Sequence, residues 1–152
     1  MEIFFKSIGL FLLFLLSVWI GFLKAAELKR RAFALRMVCE SLQELQNRLR
    51  YEGTERVRII NDTFGANGIT EIKNGETVIN ECGLNTADKN QLEDYFKKFG
   101  ASDTASEEKR AAMYLSLFLK TKEAAEKTAA EQGKLYRTVG VCAGAAVCLL
   151  LI

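Results

Sequence analysis

The separation of charge from apolar sequence constrains this chain more than any other feature. Ile3–Leu23 (IFFKSIGLFLLFLLSVWIGFL) contains a single charged side chain, Lys6, and Val139–Ile152 (VGVCAGAAVCLLLI) contains none, while nearly all of the 21 basic and 19 acidic residues lie between them. A helix rises 1.5 Å per residue, so Ile3–Leu23 covers about 31 Å, the thickness of a bilayer hydrocarbon core. Lys6 lies near one end and can snorkel to the headgroups. Trp19 lies about one turn from the other, where an indole meets the interface. A cleaved signal peptide has a shorter apolar run behind a basic leader, whereas the leader here would carry one lysine beside Glu2. Val139–Ile152 gives about 21 Å, short for a span, and Leu135 and Tyr136 add a turn with Arg137 snorkelling. The pattern predicts an amino-terminal anchor over residues 1–23, a cytoplasmic helical domain over 24–138 and a transmembrane or membrane-inserted tail over 139–152. The cytoplasmic assignment follows from Lys24, Lys29, Arg30, Arg31 and Arg36 after the first span and Lys127, Lys134 and Arg137 before the second, because basic residues near span ends stay inside.

The absence of proline leaves no ring to break a helix. From Ala26 to Arg50 the residues favour helix, and Leu28, Leu35, Leu42 and Leu49 recur every seven residues with Ala32, Val38 and Leu45 between them. This stripe continues the first span without a breaker, giving one helix of nearly 50 residues. It suits either a parallel coiled-coil dimer or packing against another helix of the same chain, and we favour the second. A partner begins at Ser102-Asp103, whose side chains suit an N-cap, and runs from Ser106 to Ile152 with Ala111, Leu115, Phe118, Ala125 and Ala129 on one face and Tyr114 beside them. The predicted fold is therefore mainly α: two long antiparallel helices, each part transmembrane and part cytoplasmic, with short helices at the distal tip. Within the tip, Thr54–Asp62 suits a short helix with Val57 and Ile60 inward, and Thr86 suits the N-cap of a helix Ala87–Phe99 closed by Gly100. Between them ITEIKNGETVI (Ile69–Ile79) has two readings: a β-hairpin turning at Asn74-Gly75, or a loop followed by a short helix Glu76–Cys82.

Charge divides the middle of the chain. Residues 24–50 carry net +4, 51–110 net −4 and 111–138 net +2. The flanks suit anionic lipid headgroups. The acidic tip, with Glu52, Glu55, Glu71, Glu76, Glu81, Asp88, Glu93 and Asp94, reads either as a solvated surface or as a docking face for a basic cytoplasmic partner. In the spans, Ser17 and Gly21, and Gly140 and Gly144, are small-xxx-small pairs that let helices approach closely.

Catalytic chemistry is hard to assemble here. With no histidine, Ser-His-Asp and Cys-His catalysis and His-ligated metals are excluded. Cys39, Cys82, Cys142 and Cys148 contain no CxxC pair, so zinc and thioredoxin-like readings fail. Gly65-Ala-Asn-Gly68 lacks the Gly-Lys-Ser/Thr of a phosphate loop. No cofactor is expected, and the formal charge of +2 argues against nucleic acid as a partner. The expectation is a non-enzymatic assembly protein that binds membrane lipid and protein partners and has the option of self-association. A small transport or channel subunit is the other reading; it would need polar groups in the spans, which offer Lys6, Ser7 and Ser17.

One motif resembles a known family. The run Gly133-Lys-Leu-Tyr-Arg-Thr-Val-Gly140, leading into a short apolar tail, resembles the end of stage III sporulation protein AB, with Lys134, Leu135, Tyr136, Arg137 and Gly140 at its centre. Phe99-Gly-Ala-Ser-Asp103, which includes Ser102 and Asp103, resembles that family's Leu-Gly-x-Ser-Asp step before the last helix. The amino-terminal span and Tyr51-Glu-Gly-Thr54 are also similar. This chain is shorter in the middle and lacks the proline-bearing segment after Thr54. The resemblance implies a component of the channel-like complex linking mother cell and forespore, in the mother-cell membrane and similar to the F-type platform protein of type II secretion. It also implies a helical soluble domain whose partners are the other subunits of that complex, among them a cytoplasmic ATPase.

Overall fold

Between Gly21 and Gly53 no residue interrupts a helix, and the computed structural model carries one, α1, from Glu2 to Tyr51. The structure describes residues 2–51, 56–73, 76–80, 83–100 and 103–151. After α1 come α2 (Arg56–Ile60), continued by a π-helical turn (Asn61–Gly65), then β1 (Thr70–Lys73), β2 (Glu76–Ile79), α3 (Thr86–Lys98) and α4 (Thr104–Leu151). The two long helices, 50 and 48 residues, make the protein mainly helical.

The chain forms two compact units. One consists of Met1–Lys29 with Glu126–Ile152, so it takes in residues 24–29 and 126–138 as well as the apolar ends; the other is Arg30–Ala125. In the first unit α1 and α4 run antiparallel: Phe14 meets Gly144, Gly21 meets Tyr136 and Gly140, and Ala25 meets Gly133.

The second unit is built on the apolar stripe of α1. Leu35, Val38, Leu42, Leu45 and Leu49 are buried, as are Ala111, Tyr114 and Phe118 of α4. Leu115, on the α4 stripe in the sequence, is half-buried, and so is Leu28 in the other unit. Ser41 is buried within the stripe. It donates to the Thr63 carbonyl (3.3 Å) and accepts from Asn67 Nδ2 (2.7 Å), while Thr63 Oγ1 donates to the Ile59 carbonyl (2.8 Å). The wider π-turn leaves carbonyls for side chains to satisfy, and this network satisfies them while tying the turn to α1. The short helix thus runs past Asp62 to Gly65, and both Ile59 and Ile60 are buried. Thr54 and Glu55 lie outside the described residues.

The segment Ile69–Ile79 is a hairpin. β1 and β2 pair antiparallel with Thr70 opposite Ile79 and Lys73 opposite Glu76, and Asn80 N–H extends the ladder to the Ile69 carbonyl at 2.9 Å. Pairing satisfies the backbone groups that an isolated helical turn at Glu76–Cys82 would leave open. The connection Asn74-Gly75 lies outside the described residues. α3 starts one residue earlier than Thr86 as a cap implies: Asn85 is the N-cap, its Oδ1 accepting from Asp88 N–H at 2.7 Å. At the other end Gly100 takes φ +91°, the left-handed conformation that glycine adopts without strain. Its N–H donates to Glu107 at 3.1 Å.

Candidate functional site

In the tip, the carboxylates single out different roles. Asp88 is only 3% exposed. It accepts from Arg31 Nε at 2.9 Å and Nη2 at 3.2 Å, a fork that joins α1 to α3. Its place on the acidic docking face is therefore corrected: the helix cap and the Arg31 fork turn this carboxylate inward. Asp94 accepts from Lys98 Nζ (2.7 Å) and from the Tyr114 hydroxyl (2.6 Å). These hydrogen bonds, that from Lys98 first, hold its carboxyl below the usual range. Glu93 is exposed, 4.0 Å from Lys97, and Glu71 is exposed on β1. Glu76 lies in β2; Glu52, Glu55 and Glu81 lie outside the described residues, as does Cys82. Of the tip carboxylates among the described residues, Asp88 is turned inward, Glu71 and Glu93 are exposed, and the Asp94 side chain is 48% exposed.

Behind them an aromatic cluster fixes the tip. Phe64 meets Phe96 edge-on at 5.0 Å, and Tyr95 lies 5.7 Å from Phe99 and 5.0 Å from Tyr114, linking the π-turn, α3 and α4. Glu107, buried at the start of α4, takes the Gly100 N–H and Arg110 (2.9 Å), while Arg110 also donates to the Lys98 carbonyl. Asp103 precedes α4, and hydrogen bonds from the Ser106 side chain first, then from backbone amides, hold its carboxyl low. Ser102 lies outside the described residues.

The Tyr95 hydroxyl is buried without a hydrogen-bond partner. Burial first, and the Glu107 charge second, push its ionisation far above the normal phenol range. Above about pH 10 the unfolded chain therefore ionises this phenol before the folded chain does, so folding stability falls as pH rises further. Tyr95→Phe should be neutral or stabilising by up to about 1 kcal/mol at neutral pH. It should also show a shallower alkaline loss in chemical denaturation from pH 9 to 11. Tyr114 and Lys98, whose hydrogen bonds to Asp94 also raise their ionisation, contribute to the alkaline loss that remains. A destabilised Tyr95→Phe would mean that the hydroxyl is satisfied after all.

In the other unit, Ser17, Gly21, Gly140 and Gly144 come together. Ser17 Oγ donates to the Gly140 carbonyl at 3.0 Å. A Cβ on Gly21 would lie 2.6 Å from the Tyr136 carbonyl oxygen, and one on Gly144 would lie 2.8 Å from the Phe14 ring. The helices touch backbone to backbone here, which only small residues permit. Lys134, Leu135 and Tyr136 are exposed, and the Arg137 guanidinium carbon sits 5.3 Å from the Phe22 ring centroid. The outward side of this pair is apolar: Phe11, Leu12, Leu16, Trp19, Ile20 and Leu23 are exposed on α1, with Val139, Val141 and Leu149 on α4. Among the described residues α1 is the one helix long and apolar enough to cross a membrane, with mean hydropathy 1.9 over a window only 11% buried. A soluble core helix of that hydropathy would be mostly covered; an apolar face this large calls for lipid or a partner.

Phe14, Phe22 and the Ser41–Thr63–Asn67 network are not singled out in the sequence, and Arg31 is named there only as a basic residue after the first span. Arg31 had a signal, since it stands one turn before Leu35 on the apolar stripe. Among the described residues no three of Cys, Asp and Glu converge on a metal geometry.

The family model described as stage III sporulation protein AB matches residues 6–63 and 72–152. No curated protein and no solved structure matches the chain.

Proposed function

The chain belongs to the stage III sporulation protein AB family, and on that premise we propose that it is a membrane-anchored platform component of a secretion-like sporulation channel. In this reading the unit formed by the chain ends lies in the mother-cell membrane at the forespore envelope, and Arg30–Ala125 faces the cytoplasm. There the second unit links a soluble ATPase to membrane subunits without catalysing a reaction itself. The observation that carries the reading is the glycine-lined α1–α4 seam with apolar side chains on its outer side. Lipid is the solvent in which close backbone packing, rather than apolar burial, holds two helices together. A short tail over residues 139–152 crossing beside α1 follows from the same seam. The transport-subunit alternative is weaker because the Ser17 hydroxyl, one of the few polar groups in the spans, is committed to the Gly140 carbonyl.

ATPase docking falls to the exposed carboxylates of the tip, Glu71 and Glu93, with Glu52, Glu55, Glu76 and Glu81 as further candidates. Asp88 serves the fold instead, and Asp94, whose side chain is 48% exposed beside its contacts to Lys98 and Tyr114, stays a candidate. Reversing Glu71 and Glu93 together to lysine should lower ATPase recovery in a pull-down by about fivefold or more, with the loss shrinking at high salt. Recovery equal to wild type at low salt would remove the acidic docking face.

A further inference from the structure

The Lys134-Leu-Tyr-Arg137 run has no part in the seam's close contacts beyond the Tyr136 carbonyl, yet the seam fixes where its side chains stand. Two contacts bracket it: Gly21 with Tyr136 and Gly140, and Ala25 with Gly133. Residues 22–24 of α1 and 134–137 of α4 therefore occupy one level of the helix pair. Below that level lie the exposed apolar side chains of Trp19, Ile20 and Val139. At it stand three cations, Lys24, Lys134 and Arg137, and the amphipathic ring of Tyr136, which is 40% exposed.

The three cations differ in what they lack. Lys24 is paired, its Nζ 2.9 Å from Glu27. Arg137 lies against the Phe22 ring, and its Nε is buried with no hydrogen-bond partner. The Phe22 ring fixes the orientation of the guanidinium while Arg137 as a whole stays half-exposed at this level. With Nε turned inward, the Nη1 and Nη2 edge of its planar fork matches two oxygens of one phosphate. A guanidinium at the edge of an apolar band meets lipid phosphates at that depth.

We infer that Arg137 is a binding site for the phosphate of an anionic phospholipid, with Lys134 and Tyr136 flanking the headgroup. The inference rests on the bilayer reading above. Anionic lipid is selected over a choline lipid because the quaternary ammonium of the latter would sit among lysines, whereas a glycerol headgroup adds no positive charge.

The test uses the full-length chain reconstituted into vesicles of equimolar phosphatidylglycerol and phosphatidylcholine, then released in mild detergent for native mass spectrometry. Wild type should retain phosphatidylglycerol in preference to phosphatidylcholine. Arg137→Gln should lower that retention about tenfold, Arg137→Lys should restore part of it because a point charge lacks the fork, and Lys127→Gln should leave it unchanged. Helicity and flotation with the vesicles, measured on the same samples, report whether each variant is folded and inserted. A chain that floats and resists alkaline extraction but shows no lipid preference, or loses none in Arg137→Gln, overturns the phosphate site and leaves the bilayer reading standing. A wild-type chain stripped from the vesicles by alkaline extraction overturns both.

Discussion

Replacing Gly21 with leucine should cost the α1–α4 pair about 3 kcal/mol, near the upper end of what overpacking a tight interface costs. The Cβ alone would lie 2.6 Å from the Tyr136 carbonyl oxygen and 3.4 Å from the Gly140 Cα. Both obstacles are backbone, so no side chain can rotate away and the helices must part. Parting them also breaks the Ser17–Gly140 hydrogen bond, worth about 0.6 kcal/mol on average in a membrane. Gly9 is the internal control: nothing lies within 4 Å of its Cβ position, so Gly9→Leu should stay within about 0.5 kcal/mol of wild type. Trp19 faces outward, so helix separation is read instead by energy transfer between labels on the two helices during unfolding in mixed micelles. Equal stability for the two variants would mean that the helices do not cross at Gly21.

Asp88→Ala should destabilise the Arg30–Ala125 unit by about 2–3 kcal/mol, less than a fully buried pair would lose because Arg31 is partly solvated. The Asp88 side chain is 4% exposed and that of Arg31 32%. Removing the carboxylate strands a half-covered guanidinium that both of its oxygens had satisfied. The double variant Arg31→Met with Asp88→Leu should recover most of the loss, since it removes the orphaned charge as well. Urea denaturation of wild type, Arg31→Met, Asp88→Leu and the double variant gives the coupling energy, and additive losses in the double variant would show that the two residues do not act as a pair.

The long helices were legible because their signals repeat: no proline anywhere, no glycine between Gly21 and Gly53, and leucines seven apart. Repetition averages out local error, which is why the 50-residue length of α1 was readable. The hairpin was not decidable, because two strands of four residues carry too few alternations to distinguish period 2 from one helical turn. The cap moved from Thr86 to Asn85 because both side chains offer an oxygen, and only the geometry of the first turn decides which reaches Asp88 N–H. The π-turn left no trace, since its extra residue changes spacing over a single turn. Small residues in the spans were visible, but not their register, which sets Gly21 on Tyr136 and Gly140. The acidic tip was misread at Asp88 for a related reason. A charge count treats every carboxylate as free, whereas the Arg31–Asp88 pair joins residues 57 apart in the chain.

The claim on which the rest depends is that both helix ends cross the bilayer while Arg30–Ala125 stays in the cytoplasm. A cysteine appended after Ile152, in a chain whose own four cysteines are replaced by alanine, tests it with a membrane-impermeant maleimide. The account predicts labelling from the outer face of right-side-out membrane vesicles and none from the cytoplasmic face of inverted vesicles, with a cysteine at Gly75 showing the reverse. Labelling of the appended cysteine from the cytoplasmic face would contradict it.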